Sequence, residues 1–193
     1  MEKEKLYYKN TYHHLYNRGV NGQNIFSDEE DYNYFLRRTK KFKEKYLIKI
    51  ICYCLMPNHL HFFVKQTEDY PTIGKFISDL TNAHTKFFNK KYNRIGVMYQ
   101  GPTKSKFISS EEYFLWLCKY ILNNPVRAKL VENPEKWNYS SARDYFENKD
   151  NGICDTEEIL NRFKYTKDFQ DFIKDKNNKF DYDYFRRWND DED

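Results

Sequence analysis

Two β-rich runs meeting across a proline turn constrain this chain most. Leu47 to Leu55 (LIKIICYCL) and His59 to Lys65 (HLHFFVK) are separated only by Met56-Pro57-Asn58. Proline supplies no backbone donor and asparagine tolerates turn geometry, so the two runs read as an antiparallel hairpin. Around it the periodicity alternates. Thr11 to Asn17 reads as a strand closed by the turn-prone Arg18-Gly19-Val20-Asn21-Gly22. Ser27 and Glu30 form a capping-box signature before a helix over roughly 28–46. From Thr72, Ile73, Phe76, Ile77, Leu80, Ala83, Phe87 and Phe88 keep helical spacing to about Tyr92. After a loop over 93–105 comes a short strand near 106–108. Ser109 and Glu112 then open a helix carrying Tyr113, Leu117, Tyr120 and Asn124, with a stop expected at Pro125.

The order β-α-β-β-α-β-α predicts an α+β fold: a ferredoxin-like antiparallel sheet with helices packed on one face. Residues 1–148 form the expected main domain. The run KDNGICD reads as a linker opening a C-terminal extension, 149–193, with a helix over roughly 156–174 and an acidic tail at Asp190–Asp193. With 193 residues the chain is long enough for one domain with a full core, and its 18 Tyr and 16 Phe take over much of the burial.

Net charge is +4, but unevenly spread: Lys86 to Lys106 is basic and interleaved with aromatics, a pattern suited to a nucleic-acid backbone. The opening MEKEKLYYKN has no apolar stretch of the signal-peptide kind, and no run is long enough to span a bilayer. The four cysteines have no disulfide-scaffold spacing. The expectation is a cytoplasmic protein, nucleoid-associated and without a membrane partner.

Two pairs of residues carry the chemistry. In His59-Leu60-His61 the imidazoles lie at i and i+2 on a strand, so both point to one face and can offer two nitrogens to one cation. One helical turn separates Tyr120 from Asn124, and no other tyrosine in the chain has Asp, Glu, Asn, Gln or His four residues on. A phenol, with an ordinary pKa near 10, needs a polarised target to act as a nucleophile. Each pair also has a plain reading. Two strand histidines can simply form a polar face, and Tyr120 with Asn124 can be a helix aromatic and a cap before Pro125. A zinc site formed by Cys52, Cys54, His59 and His61 is a further reading, though both cysteines lie in an apolar strand.

Taken together, the segments resemble the REP-associated tyrosine transposases, relatives of the single-strand insertion-sequence transposases among the HUH nucleases. The resemblance runs from about Tyr12 to Phe146. It rests on YNRG at Tyr16–Gly19, CLMPNHLHFFV at Cys54–Val64, YQG at Tyr99–Gly101, YILNNPVRAKLV at Tyr120–Val131, and the Trp137–Ser141 segment. It implies a metal-dependent single-strand DNA endonuclease and strand transferase that cuts beside DNA hairpins through a 5′-phosphotyrosine. Tyr120 would be the nucleophile, His59, His61 and Asn124 the ligands of Mg²⁺ or Mn²⁺, and hairpin-bearing single-stranded DNA the partner. A catalytically retired hairpin-binding protein is the alternative. Lys104, Lys106, Arg127 and Lys129 are candidate phosphate contacts, and Asn17 and Arg18 candidate readers of the flank. A monomer is expected, with a dimer as the alternative. The chain departs from the family at Leu122, where members often carry His, and at Pro102-Thr103 in place of the commoner Arg-Phe or Arg-Tyr.

Overall fold

The computed structural model describes residues 7–175. The acidic tail therefore lies outside the described residues. Four strands, β1 (Tyr12–Arg18), β2 (Ile48–Leu55), β3 (His59–Gln66) and β4 (Lys104–Ile108), form an antiparallel sheet in the order β2-β3-β1-β4. The expected ferredoxin-like sheet is present.

Two crossover helices, α1 (Glu29–Lys45) and α2 (Ile73–Lys91), cover one face, where Phe35, Phe76 and Leu80 meet Leu15, Phe62 and Val64. The third helix, α3 (Glu111–Arg127), lies on the other. The sheet is thus covered on both sides rather than one. The cause lies in the strands themselves: Cys52, Cys54 and Phe63 bury against Phe114, Leu117, Cys118 and Ile121. Burying a side chain of this size is worth roughly 1.5–3 kcal/mol. Three short helices complete this layer: α4 (Ala142–Phe146), α5 (Glu157–Leu160) and α6 (Thr166–Lys174), with Tyr145, Ile159, Phe169 and Ile173 in the same core.

Several boundaries differ from the sequence expectations. The cap of α1 is Asp28 rather than Ser27, because the Asp28 carboxylate accepts from the Asp31 N–H while the Asp31 carboxylate accepts from the amides of Ser27 and Asp28. Ser110, not Ser109, caps α3 by accepting from the Tyr113 N–H at 3.1 Å. That helix also runs through Pro125 to Arg127. It ends in a Schellman arrangement, with Lys129 at φ 57° and the N–H groups of Lys129 and Leu130 returning to the carbonyls of Val126 and Pro125. The helix expected over 156–174 is two helices, because the Asp168 carboxylate accepts from the Tyr165 amide at 3.0 Å and starts α6 afresh.

The segment read as a linker is anchored. The Asp155 amide donates to Ile50 O at 2.7 Å, and Ile153 is buried in the core. Further along β2, Ser141 accepts from the Tyr53 amide (3.0 Å) and the Trp137 indole donates to Leu55 O (2.9 Å). Both stretches cover an edge strand whose backbone groups would otherwise be open to pairing.

Candidate nuclease site

A cleft of about 430 Å³ opens where the second half of α3 crosses the ends of β1 and β3. The register sets its floor. Tyr16 stands opposite His61 and Arg18 opposite His59, so the alternate residues His14, Tyr16 and Arg18 of β1 lie on the same face as the two histidines. His59, His61, Tyr120 and Asn124 all line the cleft. The Tyr120 ring centre is 5.5 Å from that of His61, and the two histidine rings are 5.1 Å apart. The sequence-predicted pairs therefore meet.

Burial lowers the pKa of both histidines, to about 4 for His59 and well below the ordinary value for His61. Charging an imidazole in this setting costs desolvation, so both are neutral at neutral pH and keep a lone pair each. The Asn58 amide oxygen lies 2.7 Å from Nδ1 of His59, which assigns the proton to Nδ1 and leaves the lone pair on Nε2. Asn124 donates one of its amide N–H groups to the Tyr120 carbonyl (3.1 Å), and its side chain is within hydrogen-bonding reach of His59. The donor set of two neutral imidazole nitrogens and one amide oxygen fits a divalent cation such as Mn²⁺, and is softer than Mg²⁺ usually finds. Among the described residues no group of three His, Cys, Asp or Glu side chains could hold a metal. The zinc reading gains nothing from the structure: Cys52 and Cys54 are buried in the core against α3.

The candidate DNA contacts separate into two groups. Asn17, Arg18, Lys104 and Arg127 line the cleft. Arg18 donates through Nε to the Gln100 side chain, and Lys104 lies 5.8 Å from the Tyr16 ring centre. The amide of Asn17 donates to Gly101 O (3.1 Å) and Thr103 Oγ1 (3.2 Å), so this residue holds the 101–103 loop beside the cleft. Lys106 stands on the same face of β4, further along, with its ammonium 5.8 Å from the Tyr113 ring centre; it does not line the cleft. Lys129 is exposed beyond the end of α3, also outside the cleft lining.

Sequence reasoning missed His14, Tyr16, Asn58 and Gln100. The spacing of His14, Tyr16 and Arg18 on one strand was a usable signal. The roles of Asn58 and Gln100, which depend on loop geometry, left none.

The family model for IS200-like transposases matches residues 7–124, and the chain belongs to that family, a class of DNA strand transferases. Among solved structures, the chain is similar to a REP-associated tyrosine transposase bound to a REP hairpin, with 15% identity and a TM-score of 0.66 over 81% of this chain and 89% of that one. At that identity the likeness is one of fold. A candidate transposase from Deinococcus radiodurans R1 is 16% identical, with a TM-score of 0.44 over 64% of this chain and 97% of that one. No curated protein matches the sequence. Among the described residues no helix is long and apolar enough to cross a membrane.

Proposed function

We propose that this chain cleaves and rejoins single-stranded DNA beside a hairpin, with Tyr120 as the nucleophile. The observation that carries the reading is convergence: a half-buried tyrosine, two neutral histidines and an asparagine share one cleft whose rim holds Arg18, Lys104 and Arg127. The Tyr120 oxygen attacks the scissile phosphorus in line. The bond to the 3′-oxygen breaks, and that oxygen takes a proton from water in the open cleft and leaves as a free 3′-hydroxyl. The 5′-phosphate stays on Tyr120, and the phenolic proton passes to water in the open cleft. Because a phosphodiester has been exchanged for another phosphodiester, a second 3′-hydroxyl can reverse the step, join two strands and release Tyr120.

His59, His61 and Asn124 would hold Mg²⁺ or Mn²⁺. Bound there, the ion supplies positive charge to a non-bridging phosphate oxygen. The rim cations Arg18, Lys104 and Arg127 hold the flanking phosphates.

A hairpin substrate is the natural extension of the solved relative, whose partner is a REP hairpin. A monomer is the simplest working unit, because Tyr120 and His61 approach one another within a single chain.

The test is strand cleavage of end-labelled hairpin DNA with randomised flanks in Mn²⁺. The reading expects products with a free 3′-hydroxyl and a protein-blocked 5′ end, absent with Tyr120→Phe. Hairpin binding without cleavage would favour the retired, binding-only alternative.

A further inference from the structure

His14 lies beneath the cleft rather than in it. It is fully buried, as is His61, and its Nε2 sits 3.0 Å from His61 Nδ1 with the rings stacked at 5.2 Å and 21°. Two N–H groups cannot face each other at that distance, so one nitrogen donates and the other accepts. Either His61 Nδ1–H donates to His14, leaving the Nε2 lone pair of His61 bare, or the proton lies the other way and Nε2 of His61 carries a hydrogen. The outlying Nδ1 of His14 has no hydrogen-bond partner in either arrangement, so it does not choose between them. The surroundings of His61 do. Its Nδ1 is turned to buried His14 while its ring lines the cleft, so a cation there can meet only Nε2, and a neutral imidazole that gives Nε2 to a cation carries its proton on Nδ1.

We infer that His14 is a positioning residue that accepts the Nδ1 proton of His61, fixing the tautomer and ring orientation in which His61 Nε2 can bind a cation. Partners of this kind tune a ligand without touching the metal, and losing one typically costs 10–100-fold in metal affinity. The inference rests on the reading that His59, His61 and Asn124 hold a divalent ion.

The test measures Mn²⁺ binding to the full chain without DNA, by loss of the free-ion paramagnetic resonance signal. His14→Leu removes the acceptor, and His14→Gln returns one near the Nε2 position. His14→Leu should bind Mn²⁺ at least tenfold more weakly than wild type, with His14→Gln recovering most of the loss. Equal affinity in wild type and His14→Leu overturns the role of His14 while leaving the metal site standing. Wild-type protein that binds no Mn²⁺, or binds it equally after His59→Ala, overturns the metal reading itself and this inference with it. Should His14→Leu fail to fold, nitrogen NMR of the unsubstituted, metal-free protein decides: a proton on His61 Nδ1 supports the inference, and a proton on Nε2 overturns it.

Discussion

The guanidinium of Arg127 lies 5.2 Å from the centre of the Tyr120 ring, two helical turns further along α3, and both side chains line the same cleft. A planar cation in this position can grip a phosphate with two parallel N–H groups while it stays stacked on the ring. Arg127→Ala should therefore slow strand cleavage by about 10²-fold, of the order seen when a charge-stabilising donor is removed. Arg127→Lys should recover only part of the rate, since a point charge replaces the fork. Single-turnover cleavage of a labelled hairpin measures both.

Lys104 faces the cleft from β4, in register with Tyr16 of β1. If it neutralises a phosphate of the flank, the dependence of hairpin affinity on salt should weaken. For a single-stranded contact the slope of log K against log[salt] should fall by about 0.7 in Lys104→Ala. Fluorescence anisotropy across a salt series gives the slope; an unchanged value would remove Lys104 from the phosphate path.

Lys119, the neighbour of Tyr120, points away from the cleft. The Lys119 ammonium is buried and donates to the carbonyls of Phe172 and Asp175, each at 2.7 Å, where α6 ends. Asn123 adds a bond to Ile173 O at 3.1 Å. The C-terminal helix is thereby tied to the tyrosine helix. Lys119→Met removes the donor and leaves those carbonyls without it, which should cost roughly 1–3 kcal/mol. Limited proteolysis should then cut first between Asn161 and Lys174, ahead of any site in the sheet.

Acid should weaken the fold through its buried imidazoles. His84 is fully buried, with its Nδ1 2.7 Å from the Tyr99 hydroxyl, and desolvation lowers its pKa to about 3. Its charged form is thus disfavoured in the folded state. The unfolded chain takes up this proton near the ordinary 6.5, whereas the folded chain does not until about 3. Stability from this group is complete above 6.5 and falls as the pH drops from there towards 3. By pH 5 the loss from His84 should be about 2 kcal/mol. Urea unfolding at pH 7.5 and 5.0 should show a smaller difference for His84→Phe than for wild type by that amount.

The sheet and the two candidate pairs were legible because they rest on local rules. Two β-rich runs meeting at a proline turn marked the hairpin, and the i, i+2 geometry of a strand put His59 and His61 on one face. Helical spacing did the same for Tyr120 and Asn124. What the sequence concealed depends on contacts distant along the chain. Pro125 reads locally as a helix stop, yet the helix runs through it and ends only at the Schellman turn after Arg127. The KDNGICD run reads as a linker by composition, but it docks where β2 leaves an edge open. His14 belongs to a strand 47 residues from His61, and only the sheet register brings the two together.

The central claim is that Tyr120 itself carries the 5′ end of the cut strand. Full-length protein would be incubated with hairpin DNA and Mn²⁺, digested with nuclease and protease, and analysed by mass spectrometry for nucleotide-modified peptides. The account predicts a nucleotide adduct on the peptide containing Tyr120, dependent on Mn²⁺ and missing from His59→Ala. Cleaved DNA with no adduct, or an adduct on another tyrosine such as Tyr16, would contradict it.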